Sequence, residues 1–279
     1  MLVGFGNGVA GMKAMGFAGR RVLVTGASSG LGLEMARQLA VRHGADLVLV
    51  ARREERLLAL KAELETAAGV RCQVIAADLS RPQDVDRVFA ESTAAGPVYG
   101  VILNAGVTHF GKHLELDWAG FQTLLATNVT AVVRLVNLFT PYLVARGERG
   151  GVMVVSSMAG LLPVPFQAAY AGSKAFVTNF AMSLREELHD QPVSLTVYSP
   201  GGIDTDMTRG SKLNYFENTA FLQDVESCAA EGLAAMAARR GLAVPGRLNR
   251  LQLFGARLAP RELVSYLTRM TYLKALKEG

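Results

Sequence analysis

The chain has 279 residues, half of them hydrophobic, which permits one large α/β domain with a full core and asks for no second one. Its net charge of +5 is read as spread along the chain, without a basic run interleaved with aromatics, so nucleic acid is set aside as a partner. The two cysteines, Cys72 and Cys228, lack metal-ligand spacing and no signal peptide is evident, which leads us to expect free thiols in a reducing cytoplasm.

Residues 1–18, rich in Gly and Met and broken by glycines, read as a loose tail too short to span a bilayer. The fragment Gly4 to Gly8 is discounted as a nucleotide loop, because no strand precedes it. A pattern sharpens at Arg21, with a strand over 22–24, a glycine-rich turn from Thr25 to Gly32 and a helix over 33–41. Such a turn between strand and helix lets backbone approach a pyrophosphate, whose charge the helix N-terminus favours.

A second strand, 46–51, ends in Ala51 and then Arg52-Arg53, where an acidic residue would otherwise accept from a ribose 2′-hydroxyl. A guanidinium there suits a 2′-phosphate through a charge-assisted fork. An exposed arginine pair opening the next helix, 54–68, is the plain alternative. A third strand, 72–76, stops at Asp78-Leu79, and Asp78 is also placed to cap a helix beginning near Pro82. A fourth, 98–103, ends in Asn104-Ala105-Gly106. His109 and His113 stand four apart, but Gly111 breaks the helix between them and no metal is expected. Residues 114–138 read as helices, within which Asn128 is a disfavoured residue that asks for a local reason.

The strand 152–155 stops at Ser156-Ser157, and a long helical pattern then carries Tyr170 and Lys174 one turn apart on one face. An ammonium about 4 Å from a phenol contributes roughly 4 kcal/mol at an effective dielectric of ~20, which would lower the phenol by about three pKa units. Tyr170 would then work as a general acid or base near neutrality, with a hydroxyl of Ser157 or Ser156 holding the same substrate oxygen. A strand over 193–198 leads to Ser199-Pro200-Gly201-Gly202-Ile203, and after a polar stretch a helix over 225–238 precedes a last strand at 242–244. Beyond Pro245-Gly246, stripes at Leu248, Leu251, Leu258 and at Leu263, Leu267, Met270, Leu273 indicate two amphipathic helices joined near Pro260. Such stripes are expected to pack on the body of the protein or on another subunit. Docking on a membrane surface ranks lower, and no transmembrane helix is expected.

Thr-Gly-x-x-x-Gly-x-Gly from Thr25, Asn104-Ala105-Gly106, Asn128-Val129 and Tyr170-x-x-x-Lys174 resemble the motifs of the short-chain dehydrogenase/reductase family, in order, over about residues 19–207. The resemblance implies a single Rossmann-like doubly wound domain over 19–246, a parallel sheet of about seven strands with helices on both faces, followed by a helical extension over 247–279. It also chooses Ser157, thirteen residues before the tyrosine, over Ser156. It implies catalysis by Asn128, Ser157, Tyr170 and Lys174, and cofactor contacts from Gly26, Ser28, Ser29, Gly30, Leu31, Gly32, Arg52, Asp78, Leu79, Asn104, Ala105, Gly106, Tyr170, Lys174, Pro200, Gly201, Ile203 and Thr205. The expected enzyme is an NADP(H)-dependent reductase of ketones or aldehydes, acting as a cytoplasmic homodimer or homotetramer. An NAD-linked alcohol dehydrogenase and a catalytically idle NADP sensor are the alternatives. Helices bearing Val132, Val133, Val136 and Phe176, Phe180, Leu184 resemble the family's assembly surfaces. Asn214, Tyr215 and Phe216 fall where the family has a substrate lid.

Overall fold

A computed structural model of the protein describes residues 12–203 and 222–278. Seven parallel strands form one sheet, as the alternating strand and helix patterns predict; numbered in chain order with the ranges below, they lie in the order β3-β2-β1-β4-β5-β6-β9. Its first half comprises β1 (Arg21–Thr25), β2 (Asp46–Ala51) and β3 (Cys72–Ala76), and the second half β4 (Gly100–Leu103), β5 (Gly151–Val155), β6 (Ser194–Tyr198) and β9 (Leu242–Ala243). A parallel sheet is covered on both faces, so its strands are rich in apolar and β-branched residues, and β4, β5 and β6 are buried at every position. The order reverses between β1 and β4, whose registers Val22↔Gly100 and Val24↔Ile102 bring their carboxyl ends side by side. A crevice opens at that switch point.

Helices α1 (Gly30–Val41), α2 (Glu54–Ala68) and Val225–Ala237 cover one face, where Met35, Leu39, Leu57, Leu64 and Met236 are buried. Helices α3 (Pro82–Ala94), α5 (Ala131–Arg146) and α6 (Ala168–Glu187) cover the other with Val88, Leu135, Phe139, Val177 and Ala181. A short parallel pair, β7 (Gly202–Ile203) with β8 (Leu222–Gln223), stands apart from the main sheet.

Two expectations change, and one gains a detail. Residues 12–18 are not loose: Met15 and Phe17 are 4 and 3% exposed, Met15 N–H donates to the Ala237 carbonyl at 2.8 Å, and Arg239 Nε donates to the Lys13 carbonyl at 2.8 Å. Two large apolar side chains outweigh the glycines around them once the sheet offers a surface. The helices expected over 114–138 are present, with one feature the sequence does not mark: α4 (Trp118–Leu125) runs through a π turn at Ala126–Thr130 directly into α5. Val132 and Val136, expected at an assembly surface, are core residues, whereas Phe176 on α6 is 51% exposed and stacks on Phe180 with ring centroids 6.3 Å apart.

Trp118–Arg146 is, among the described residues, long and apolar enough to cross a membrane, but half of it is buried in the fold, where Leu135, Val136 and Phe139 face the sheet. Both cysteines are buried free thiols, pushed up by burial to about 11 at Cys72 and about 12 at Cys228.

The two C-terminal helices, Arg247–Leu258 and Arg261–Glu278, are present as expected, yet their leucine stripes point outward. Leu251, Leu258 and Leu263 are 66, 73 and 47% exposed, while Leu253 and Ala275 face inward and Leu267, though 55% exposed, borders the cavity described below. The inner face carries threonine, tyrosine and asparagine, a composition that apolar periodicity does not mark.

Candidate active site

The carboxyl ends of the strands and the two C-terminal helices enclose a cavity of about 890 Å³. At one end lies the glycine turn. Gly26 and Gly30 have φ of 70° and 54°, the left-handed region open to glycine, and a Cβ on Gly26 would stand 2.8 Å from Asn104 Nδ2. Asn104 spans the switch point, donating from Nδ2 to the Thr25 carbonyl at 3.1 Å. Thr25 Oγ1 in turn accepts from the Asn104 and Ala105 amides at 2.9 and 3.0 Å. The chain therefore runs close past the N-terminus of α1, where Ser29 makes no side-chain cap and Gly30 and Leu31 border the cavity.

Arg52 and Arg53 both line the same end. Arg53 is the one that crosses to the glycine turn, its Nη2 donating to Ser29 Oγ at 3.0 Å and to Ser28 Oγ at 3.2 Å. The sequence points to Arg52 alone, because side-chain direction after a strand end is not visible in it. Asp78 and Leu79 border the cavity, and Asp78 Oδ1 accepts from Ser80 N–H at 3.0 Å and Ser80 Oγ at 2.8 Å. The capping role foreseen for Asp78 is corrected, since the residue at the N-cap of α3 is Arg81.

Midway along the cavity, α6 presents Tyr170 and Lys174 toward the end of β5. Ser156 and Ser157 part company there. Ser156, 2% exposed, donates to the Lys174 carbonyl at 3.0 Å and lies 2.6 Å from Thr178 Oγ1, so its hydroxyl is committed to packing α6 on the sheet. Ser157 instead turns to the cavity beside Tyr170 and accepts from Ala159 N–H at 3.1 Å. Lys174 Nζ donates to the Val155 carbonyl at 2.9 Å and stands 5.8 Å from the centroid of the Tyr170 ring.

The electrostatics differ from the expectation. Burial pushes the Tyr170 phenol up, opposed by the Ser157 hydroxyl, and burial lowers Lys174 to about 8. Both groups occupy one desolvated pocket, which penalises whichever becomes charged, so the spacing of the pair does not by itself lower the phenol.

Asn128 sits in the π turn, fully buried. Its Nδ2 donates to the Val107 carbonyl at 2.8 Å and to Ser173 Oγ at 3.1 Å, and its Oδ1 accepts from Val107 N–H at 2.8 Å. This is the local reason for an asparagine inside an apolar helix. A Cβ on Gly106 would lie 3.3 Å from Asn128 Oδ1 and 3.4 Å from Lys174 Nζ, so only glycine leaves this strand end open. Pro200, Gly201 and Ile203 complete the wall, and a Cβ on Gly201 would meet Asn249 at 2.7 Å. Thr205, Asn214, Tyr215 and Phe216 lie outside the described residues.

The far end is built by residues that the sequence reading did not single out. Thr268, Thr271 and Tyr272 of the last helix line it with Leu162 and Val164. Tyr272 packs against Phe110 with centroids 5.4 Å apart, and its phenol is pushed up by burial and further by Tyr170. Among the described lining residues, the charged ones are Arg52, Arg53, Asp78 and Lys174, and none is contributed by the C-terminal helices.

The profile of the short chain dehydrogenase family matches residues 20–215. The chain belongs to the short-chain dehydrogenase family. An uncharacterized oxidoreductase of Mycobacterium tuberculosis is 39% identical over 206 residues, covering 70% of this chain and 78% of that protein. The 11-beta-hydroxysteroid dehydrogenase of Pinus massoniana is 37% identical over 194 residues, 69% of this chain and 53% of its own. Among solved structures, a short-chain dehydrogenase from Sphingobium yanoikuyae in complex with NADPH superimposes with a TM-score of 0.77 at 31% identity, covering 86% of this chain and 93% of that one. This dehydrogenase is thus an oxidoreductase of the nicotinamide-dependent kind. The open α1 N-terminus, the close-running glycine turn and the arginine pair fit a dinucleotide.

Proposed function

We propose that this dehydrogenase is an NADPH-dependent reductase of uncharged ketones or aldehydes, reversible as an alcohol dehydrogenase. The observation that carries the proposal is the convergence of Ser157, Tyr170 and the buried Lys174 on one wall of a cavity whose other end carries two arginines. When bound, the cofactor supplies the hydride. The residues of this chain handle the oxygen. Ser157 offers its hydroxyl to the substrate carbonyl, and Tyr170, kept protonated by burial, delivers its phenolic proton to the oxygen as negative charge develops there. Lys174, held by the Val155 carbonyl, faces the phenolate left behind and stabilises it. Asn128 fixes the Val107 backbone and Ser173 around that lysine, and it is assigned the support of the path that returns a proton to Tyr170.

Arg52 and Arg53 are assigned to the 2′-phosphate, with Ser28 and Ser29 adding neutral bonds. Assembly into a homo-oligomer is assigned to α6, through the exposed Phe176–Phe180 stack. The deciding experiment follows NADPH absorbance against a panel of ketones, steroids and β-ketoacyl thioesters. Turnover of at least one uncharged ketone, lost in Tyr170→Phe, supports the reading. Turnover of none, with NADPH binding intact, leaves the idle sensor as the better account.

A further inference from the structure

The two C-terminal helices show different characters on their two faces. Their inner face closes the cavity. On the outer face, Leu251, Phe254 and Leu258 recur at intervals of three and four and are 66, 56 and 73% exposed. Leu263, Tyr266 and Met270 continue the surface on the last helix at 47, 54 and 42% exposed. One such residue is ordinary, but six in two consecutive helices form a patch that a soluble monomer does not keep without a use.

The charge of the chain, expected to be spread evenly, is concentrated on these helices. Seven of the 29 lysines and arginines but two of the 24 acidic residues lie in 247–279, so this segment holds the whole +5 and residues 1–246 carry 22 charges of each sign. Arg250 pairs with Glu231 at 3.3 Å. Among the described residues, Arg247, Arg257, Arg261, Arg269 and Lys274 have no acidic partner.

We propose that the outer face of these two helices docks on an anionic lipid surface. An apolar stripe rimmed by cations is the composition of a helix lying in the membrane interface, where the apolar residues enter the acyl boundary and the cations meet lipid phosphates. Tyr266 is suited to the boundary itself, being apolar in body and polar at its tip. A second copy of this chain fits less well, because a two-fold contact would bring two concentrations of +5 together. Docked this way, the wall that carries Thr268, Thr271 and Tyr272 lies next to the lipid, and an apolar carbonyl compound dissolved there reaches the cavity without crossing bulk water.

Flotation of the full-length protein with vesicles tests this. Vesicles of phosphatidylcholine alone are compared with vesicles in which a third of the lipid is phosphatidylglycerol. Roughly tenfold more protein is expected on the anionic vesicles, declining as salt is raised, and the Phe254→Ser/Leu258→Ser double variant is expected to lose the association. Should that variant fail to fold by circular dichroism, Arg257→Gln/Arg261→Gln/Arg269→Gln serves the same comparison, since exposed cations carry no packing. No association, equal association with neutral vesicles, or unchanged association of the folded variants overturns the proposal. So does an oligomer that ignores vesicles and is dispersed by the double variant, which assigns the face to a second copy.

Discussion

Asn128 holds the backbone of Val107 at both ends, accepting from its N–H and donating to its carbonyl, each at 2.8 Å. Val107 follows directly on the Asn104-Ala105-Gly106 strand end, and Ser173, the third partner of Asn128, precedes Lys174 in sequence. One amide thus ties the strand end after β4 to α6, from within the π turn between α4 and α5.

Replacing Asn128 with Ala removes three hydrogen bonds inside a fully buried site. At about 1 kcal/mol each, the loss of stability is about 3 kcal/mol, read from the midpoint of urea unfolding. A change below about 1 kcal/mol would show that water takes over the partners. Turnover is expected to fall further than cofactor affinity, because Ser173 and Lys174 lose their reference point.

Tyr170→Phe keeps the ring and removes the phenol beside Ser157. Carbonyl reduction is expected to fall at least a hundredfold while cofactor binding, followed by fluorescence titration, stays within a few-fold. Activity close to that of wild type would remove Tyr170 from proton transfer.

Lys174 supplies a pH dependence. Its folded pKa is lowered from 10.5 to about 8 by burial, so above about pH 8 the folded protein sheds a proton that the unfolded chain keeps up to about 10.5. Stability therefore rises between about pH 8 and 10.5 through this residue and carries the full burial penalty below pH 8. Activity runs the opposite way, since the ammonium faces the developing phenolate: reduction should fall above about pH 8. Lys174→Arg moves that limb upward, because a guanidinium stays charged. A limb that stays near pH 8 in the variant belongs to another group.

The parallel seven-stranded sheet and the residues at its strand ends were legible because strand ends and polar or glycine residues coincide in sequence: Val155 is followed by Ser156-Ser157, and Leu103 by Asn104-Ala105-Gly106. Local runs of buried residues report their own burial. What escaped depended on direction. Arg53, not Arg52, turns toward Ser28 and Ser29; Leu251, Leu258 and Leu263 of the last two helices face outward; and Tyr272 enters the site from a helix about a hundred residues beyond Tyr170. Met15 packs because the amino ends of β5 and β6, at Gly151 and Ser194, receive it, which a glycine-rich context hides.

Tyr272 is expected to set the size of the carbonyl compound accepted. Tyr272→Ala removes the ring that packs on Phe110 and opens the wall facing Tyr170. Losing one aromatic contact of a bound substrate costs about 1.5 kcal/mol, roughly tenfold in KM for a bulky uncharged ketone, with kcat little changed. Small aliphatic ketones, too short to reach that wall, should be unaffected. Equal effects on large and small substrates would place Tyr272 in the packing of the last helix and not in substrate selection.

Cofactor choice separates the two arginines. Both line the dinucleotide end, but Arg53 is already drawn to Ser28 and Ser29, so its guanidinium is pre-positioned over the glycine turn. A hydrogen bond to a charged group contributes about 1.5 to 3 kcal/mol, or roughly ten- to a hundredfold in affinity. Arg53→Asp should lose that factor for NADPH and repel the 2′-phosphate, while its carboxylate offers an acceptor to a free 2′-hydroxyl. Arg52→Asp should shift the preference in the same direction by a smaller factor, as no serine orients it. Titrating NADPH and NADH against wild type and both variants by fluorescence decides the matter. Wild type binding both cofactors equally would remove the 2′-phosphate assignment altogether, and a larger shift from Arg52→Asp would return the principal role to Arg52.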